Sequence, residues 1–253
     1  MRASLICLMS SFLFCFQAHA LELCGNLKQG ELIVVKEKGK TSLFALGRDD
    51  PSPHTFQGIT FDVEKTPWDI QSIKGVAQNK VTPSKKDESE ILREQKEVRD
   101  ALKSNKNEQP DWQKGFILPV QGRISGHFGN QRIFNGVKKN PHSGTDIAAP
   151  EGTPVIAPAD GVVVLAGGHY FYSGNMVILD HGDHLKTIYA HLKTVSVHKK
   201  DRVQQGDIIG TVGKTGRATG PHLHWGAVVS NVRFRPYSLL DISTKQCRSF
   251  ETK

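Results

Sequence analysis

The 253-residue chain contains no apolar run long enough to cross a bilayer as a helix. Its most apolar stretch, Leu5 to Phe16 (LICLMSSFLFCF), falls short of the roughly 20 residues a spanning helix needs, and polar residues follow at once. Arg2 ahead of the stretch and Ala18-His19-Ala20 behind it give it the form of a secretory signal peptide over residues 1–20, with cleavage expected after Ala20. A lipid-attachment site is excluded, because Glu22 and Leu23 precede Cys24 where such a site wants small residues. The expectation is an exported protein, in the periplasm or secreted, with no membrane span after cleavage.

Cysteine is scarce. Cys7 and Cys15 leave with the signal, so Cys24 and Cys247 remain. An even pair in an oxidising compartment predicts one disulfide, tying the mature N-terminus to the C-terminal tail. Neither cysteine has a second ligand nearby, which excludes a cysteine-based metal site. A concentrated basic patch is also missing. The formal net charge is +8, but Lys and Arg are scattered rather than gathered on one helix or interleaved with aromatics, so a nucleic-acid module is excluded. The positive balance suits a polyanion such as an acidic cell-wall polymer, and charge alone chooses no partner.

Glycine and proline are absent from residues 84–107 (SKKDESEILREQKEVRDALKSNKN). Ile91, Leu92, Val98, Ala101 and Leu102 recur there at helical spacing, with Ser84 or Ser89 available as caps, which predicts one amphipathic helix in a linker over 83–115. Residues 21–82 carry strand-like pieces (ELIVVKEK, TSLFALG, ITFDVE) between turn residues and predict a small β-rich accessory domain without a catalytic constellation. From Phe116 onward no segment suffices for a substantial helix. Short β-branched runs such as TPVIAPA, GVVVLAG, NMVILDH and DIIGTVG, each bounded by turn residues, predict an all-β domain over 116–242, with 243–253 as a tail. The fold class is mainly β.

Histidine is plentiful where other signals are thin: nine of the eleven follow Phe116. In NPHSGTDIAAP, His142 and Asp146 are four apart; Pro141 and Gly144 rule out a regular helix, so a turn entering a strand has to pair them. An imidazole nitrogen and a carboxylate oxygen both suit zinc at about 2.0–2.2 Å. In GRATGPHLHWG, His222 and His224 are two apart in a strand and project from one face, leaving Trp225 for the core. His191 ends an apolar strand in TIYAHL, where a lone histidine is more often a satisfied buried residue. One carboxylate and two imidazoles leave a zinc ion's fourth position open to water, which is the catalytic arrangement.

These segments resemble the lysostaphin-type (LytM-like) zinc metallopeptidases that hydrolyse peptide bonds of bacterial peptidoglycan. The resemblance runs from about Phe116 to Leu240 and rests on PVQGRISGHFG, HSGTDIAAPEGTPVIAPADGVVV, TIYAHL and VQQGDIIGTVGKTGRATGPHLHW. It implies an antiparallel β-sheet peptidase domain of the duplicated hybrid motif type with one Zn2+ per chain. His142, Asp146 and His224 become its ligands, and His191 and His222 its catalytic histidines. It implies peptidoglycan as the partner and a metalloendopeptidase cutting stem peptides or crosslinks. The alternative is a LytM-like module that activates a cell-wall amidase without chemistry of its own; such modules lack some of the ligands, and all three are present here. A carrier domain is a further rival, because the stretch around Lys199 and Lys200 faintly resembles lipoyl-type motifs, though such domains need no metal site. Lys200 departs from the family, standing where glycine is frequent. His181 and His184, in LDHGDHL, read as a turn between paired strands. His127 and His198 read as surface or strand positions, and His169, Tyr170 and Tyr172 as either groove lining or a hairpin tip.

Overall fold

The computed structural model describes residues 20–251. The signal-peptide expectation, with Cys7 and Cys15, falls on residues outside that range. Among the described residues, no helix is long and apolar enough to cross a membrane.

The chain is mainly β. The largest sheet has ten strands, all paired antiparallel. Along its main path Gly161–Tyr170, Gly174–Asp180, Leu185–Val195, His222–Val229, Thr145–Ala148 and Arg123–Gly126 lie side by side. Period-2 alternation divides its side chains between two cores. Val163, Val177, Leu179, Tyr189, Trp225 and Ala227 point into the larger core, whereas Val164, Ile178, Ile188 and Val228 point to the other face. That second face is covered by the helix Lys85–Lys103, through Val98, Ala101 and Leu102. Ser84 caps the helix: its hydroxyl accepts from Asp87 N, and the Asp87 carboxylate accepts from Ser84 N, which satisfies first-turn N–H groups reciprocally.

A four-stranded sheet orders Cys247–Glu251, Ala20–Cys24, Leu32–Glu37 and Lys40–Ala45. Leu32, Val34 and Ala45 feed the same core as Trp225, while Leu21, Leu23, Ile33 and Val35 pack with Ile59, Phe61 and Val63 on the far side. Cys24 and Cys247 are register partners and are joined as a disulfide, so the tail is a strand pinned to the first described strand.

After the helix, the chain is anchored by a buried ion pair. Asp180 meets Lys186 at 2.9 Å with both side chains fully enclosed, and its second oxygen accepts from Lys106 N and Asn107 N. His181 to His184 form the turn between Gly174–Asp180 and Leu185–Val195. His181 itself is wholly buried: its Nδ1–H donates to the Asp160 carbonyl at 2.7 Å, and its Nε2 accepts from Thr187 Oγ1 at 2.7 Å. Burial pushes its pKa down to about 4. Lys200 adopts a φ of 85° in an exposed turn, the left-handed backbone that glycine takes without a Cβ penalty.

Candidate metal centre and groove

Strand register assembles the site. His222–Val229 lies between Leu185–Val195 and Thr145–Ala148, pairing His224 with Asp146 on one side and with Ala190 on the other. Asp146 and His224 therefore meet as cross-strand neighbours. His222 stands two residues before His224, and His191 follows Ala190. His142 precedes the Thr145–Ala148 strand and turns back over it, as the Pro141 and Gly144 flanks require.

The three predicted ligands come together. His142 Nε2 lies 3.0 Å from Asp146 Oδ1 and 3.0 Å from His224 Nδ1, and His224 Nδ1 lies 2.9 Å from the same carboxylate oxygen. A tetrahedral ion with bonds of about 2.0–2.1 Å separates its ligand atoms by about 3.3 Å, so a small cation fits this nearly equilateral triangle with little adjustment. The His142 imidazole is fixed from behind. His142 Nδ1–H donates to the His127 carbonyl at 2.9 Å, which leaves Nε2 bare for a ligand role. Asp146 is held at its other oxygen: Oδ2 accepts from Arg132 Nη2 at 2.6 Å, with both side chains buried. Burial presses the Asp146 carboxyl upward, but the hydrogen bonds and charges of His142 and His224 outweigh it and hold the group well below the usual carboxylate range. Burial likewise pushes His224 down to about 4, against the pull of Asp146.

His191 and His222 stand beside this triangle with ring centroids 4.7 Å apart. Their Nδ1–H groups donate to backbone carbonyls, His191 to Thr215 at 2.8 Å and His222 to Gly220 at 2.8 Å, so both present a bare Nε2. His222 Nε2 is 3.8 Å from Asp146 Oδ1. Burial first, then the neighbouring His222 and His224, pushes His191 down to about 3, so it is a neutral imidazole at physiological pH. His191 also has a φ of 63° within its strand. A left-handed conformation at a non-glycine residue costs on the order of 1 kcal/mol, and such strain gathers at functional sites.

All five residues line one cavity of about 1000 Å³. One of its walls comes from before the helix. Ile70–Ile73 pairs in parallel with Gln131–Phe134, Gln71 Nε2 donates to the Ser125 carbonyl at 2.9 Å, and Val76 is bracketed by the Asn135 side chain. Lys80 and Lys139 tie this segment to both lips of the cavity: Lys80 Nζ donates to the Phe171 carbonyl and Lys139 Nζ to that of Val81. Tyr172 lines the cavity, whereas His169 is exposed away from it and Tyr170 packs in the core beneath the helix. His127 and His198 are exposed.

Sequence reasoning did not single out Arg132, Arg217 or the Gln71–Val76 wall. Arg132 sits fourteen residues before its partner Asp146, so no local spacing marks the pair.

Residues 140–236 match the description Peptidase family M23. Among curated proteins, the peptidoglycan DD-endopeptidase ShyA of Vibrio cholerae is 42% identical over 139 residues, which is 54% of this chain and 31% of ShyA. The DD-carboxypeptidase/endopeptidase Mpg of Neisseria meningitidis is 46% identical over 98 residues, 39% of this chain and 22% of that protein. The chain thus spans less than a third of the length of either relative. A solved Pseudomonas aeruginosa protein assigned to peptidase M23 is similar in fold, with a TM-score of 0.63 and 28% identity over 88% of this chain and 89% of that one. With the matched segment holding the His142, Asp146 and His224 triangle and both neighbouring imidazoles, the chain carries a peptidase family M23 domain.

Proposed function

We propose that this protein is an exported zinc metalloendopeptidase that hydrolyses peptide bonds in the stem peptides or crosslinks of peptidoglycan. The observation that carries the reading is the triangle of His142, Asp146 and His224 ligand atoms at 2.9–3.0 Å, with two further imidazoles offering bare nitrogens beside it. One carboxylate and two neutral imidazoles suit Zn2+ and leave it a coordination position for chemistry. Bound there, zinc would supply Lewis acidity that makes water nucleophilic near neutral pH and polarises a scissile carbonyl.

The chain's own residues do the rest. Arg132 holds Asp146 in place through Oδ2. The Thr215 and Gly220 carbonyls fix the tautomers of His191 and His222, so each Nε2 can accept a proton from the attacking water. The same nitrogen, once protonated, can donate to the oxyanion or to the leaving amine. Gln71, Ile73 and Val76 wall the cavity in which these groups stand. Export is supported by the signal-like N-terminal stretch and by the Cys24–Cys247 disulfide, a bond kept in oxidising compartments such as the periplasm.

The test is digestion of purified sacculi by zinc-loaded protein, with fragments identified by mass. Wild type should release cleaved peptides, Asp146→Ala should lose zinc and activity together, and His191→Ala should keep zinc while turnover falls by about 100-fold or more. Sacculi left intact by zinc-loaded wild type would overturn the enzymatic reading, and stimulation of a separate amidase by that same protein would establish the activator in its place.

A further inference from the structure

Two arginines in the groove have no partner that accounts for them. Arg217 follows the turn glycine Gly216, and its backbone N–H donates to the Tyr172 carbonyl at 2.8 Å, which joins the loop before His222 to the opposite lip. Its guanidinium lies between two rings, 4.3 Å from the Tyr172 centroid and 4.6 Å from that of Phe134. Both contacts are within cation–π reach and hold the group in place, while its N–H donors make no hydrogen bond among the described residues. Arg233, on the strand Val232–Phe234, lines the same cavity. Among the described residues, neither side chain makes an ion pair or hydrogen bond, and no carboxylate influences either one. Asp146 is the single acidic side chain lining the cavity, and Arg132 with three histidines already surrounds it. Burial disfavours the charged form of both arginines. Removing a guanidinium from water without an anion is unfavourable, so a groove built this way is complementary to a negatively charged ligand.

We infer that Arg217, with Arg233 on the same cavity wall, provides a specificity subsite that binds a free carboxylate of the peptide substrate. The inference rests on the peptidase reading above and adds to it which substrate group is recognised and by what. Arg217 lies five residues before His222 and shares the cavity with all three ligands, so a carboxylate held there fixes the register of the peptide across the metal centre. A planar guanidinium can meet a planar carboxylate through two parallel N–H···O bonds.

The experiment uses the full zinc-loaded protein and two synthetic probes: a crosslinked dimer of stem tetrapeptides with free carboxylates, and the same dimer with every carboxylate amidated. Cleavage is followed as kcat/KM, and binding to metal-stripped protein is followed by calorimetry. Wild type is expected to prefer the free acid by about 10- to 100-fold in both measurements. Arg217→Gln should remove that preference while changing the amide probe less than threefold. Arg233→Gln is tested separately, so that misfolding of one variant, checked by thermal melting, leaves the other decisive. Equal handling of acid and amide by wild type, or equal loss on both in the variants, overturns the subsite while cleavage itself still supports the peptidase. Absence of cleavage with a retained binding preference that Arg217→Gln abolishes supports the subsite and overturns the peptidase reading. Competition by inorganic phosphate but not by acetate overturns the carboxylate assignment.

Discussion

Gly144 is a position where adding one methyl group should disturb the metal centre. A Cβ built there would lie 2.4 Å from the Trp225 carbonyl oxygen and 2.8 Å from both Cε1 and Nε2 of the His224 ring. Cβ contacts essentially never fall below 3.0 Å, so relief requires at least 3.0 − 2.4 = 0.6 Å at the carbonyl and 3.0 − 2.8 = 0.2 Å at the ring. The carbonyl is backbone of the His222–Val229 strand, whose register with Thr145–Ala148 sets the distance between His224 and Asp146. A metal site tolerates displacements of about 0.2 Å, so either shift uses up or exceeds what the ligand geometry allows. Gly144→Ala is therefore expected to weaken zinc binding by about 10- to 100-fold, with a comparable fall in kcat/KM. Overpacking should also cost the zinc-free protein about 1–3 kcal/mol. Chelator competition measures the affinity, and urea unfolding measures the stability. Gly152→Ala is the control: it has a φ of 90° with nothing within 4 Å, so it should cost on the order of 1 kcal/mol and leave zinc affinity unchanged. A Gly144→Ala protein that binds zinc within threefold of wild type would refute this account of a close-packed centre.

Two further outcomes follow from groups away from the groove. The His181 pKa is depressed to about 4, so the unfolded chain, with the usual value near 6.5, binds the extra proton first as pH falls. The stability is intact above pH 6.5 and is lost between there and about pH 4, the loss reaching about 2–3 kcal/mol at pH 4.5. Urea midpoints of wild type and His181→Asn at pH 7 and 4.5 should show that much less pH dependence in the variant; equal dependence would refute it. The Cys24–Cys247 bond spans 223 residues, for which the chain-entropy model sets an upper limit of about 5 kcal/mol. A Cys24→Ser, Cys247→Ser double variant should lose about 3–5 kcal/mol in urea unfolding yet keep its zinc affinity, because neither cysteine approaches the groove.

Much of this architecture is legible in the sequence because it is local. The helix over Lys85–Lys103 follows from a glycine- and proline-free stretch with apolar residues at helical spacing and a serine at its head. The strand pattern is legible from β-branched runs and turn residues, and the shared direction of His222 and His224 from the period of two. What brings His142, Asp146, His191 and that pair to one point is strand order, which no local window contains. Arg132, Arg217 and Phe134 escape for the same reason: each acts through a partner on another element. The pairing of Ile70–Ile73 with Gln131–Phe134 is parallel and joins segments about sixty residues apart, so neither piece announces the other. His181 looked like a turn residue by spacing, and it is one; its enclosure depends on Phe116, Asp160 and Thr187 closing around it.

The wall supplied by Ile70–Ile73 and Val76 lies outside residues 140–236, as do Arg132 and Phe134. The metal ligands and one wall of the cavity are thus written in separate stretches of the chain. Substitutions in the early stretch can redraw that wall without touching a ligand, whereas residues 140–236 alone would leave behind Arg132, which holds Asp146, and His127, whose carbonyl holds His142.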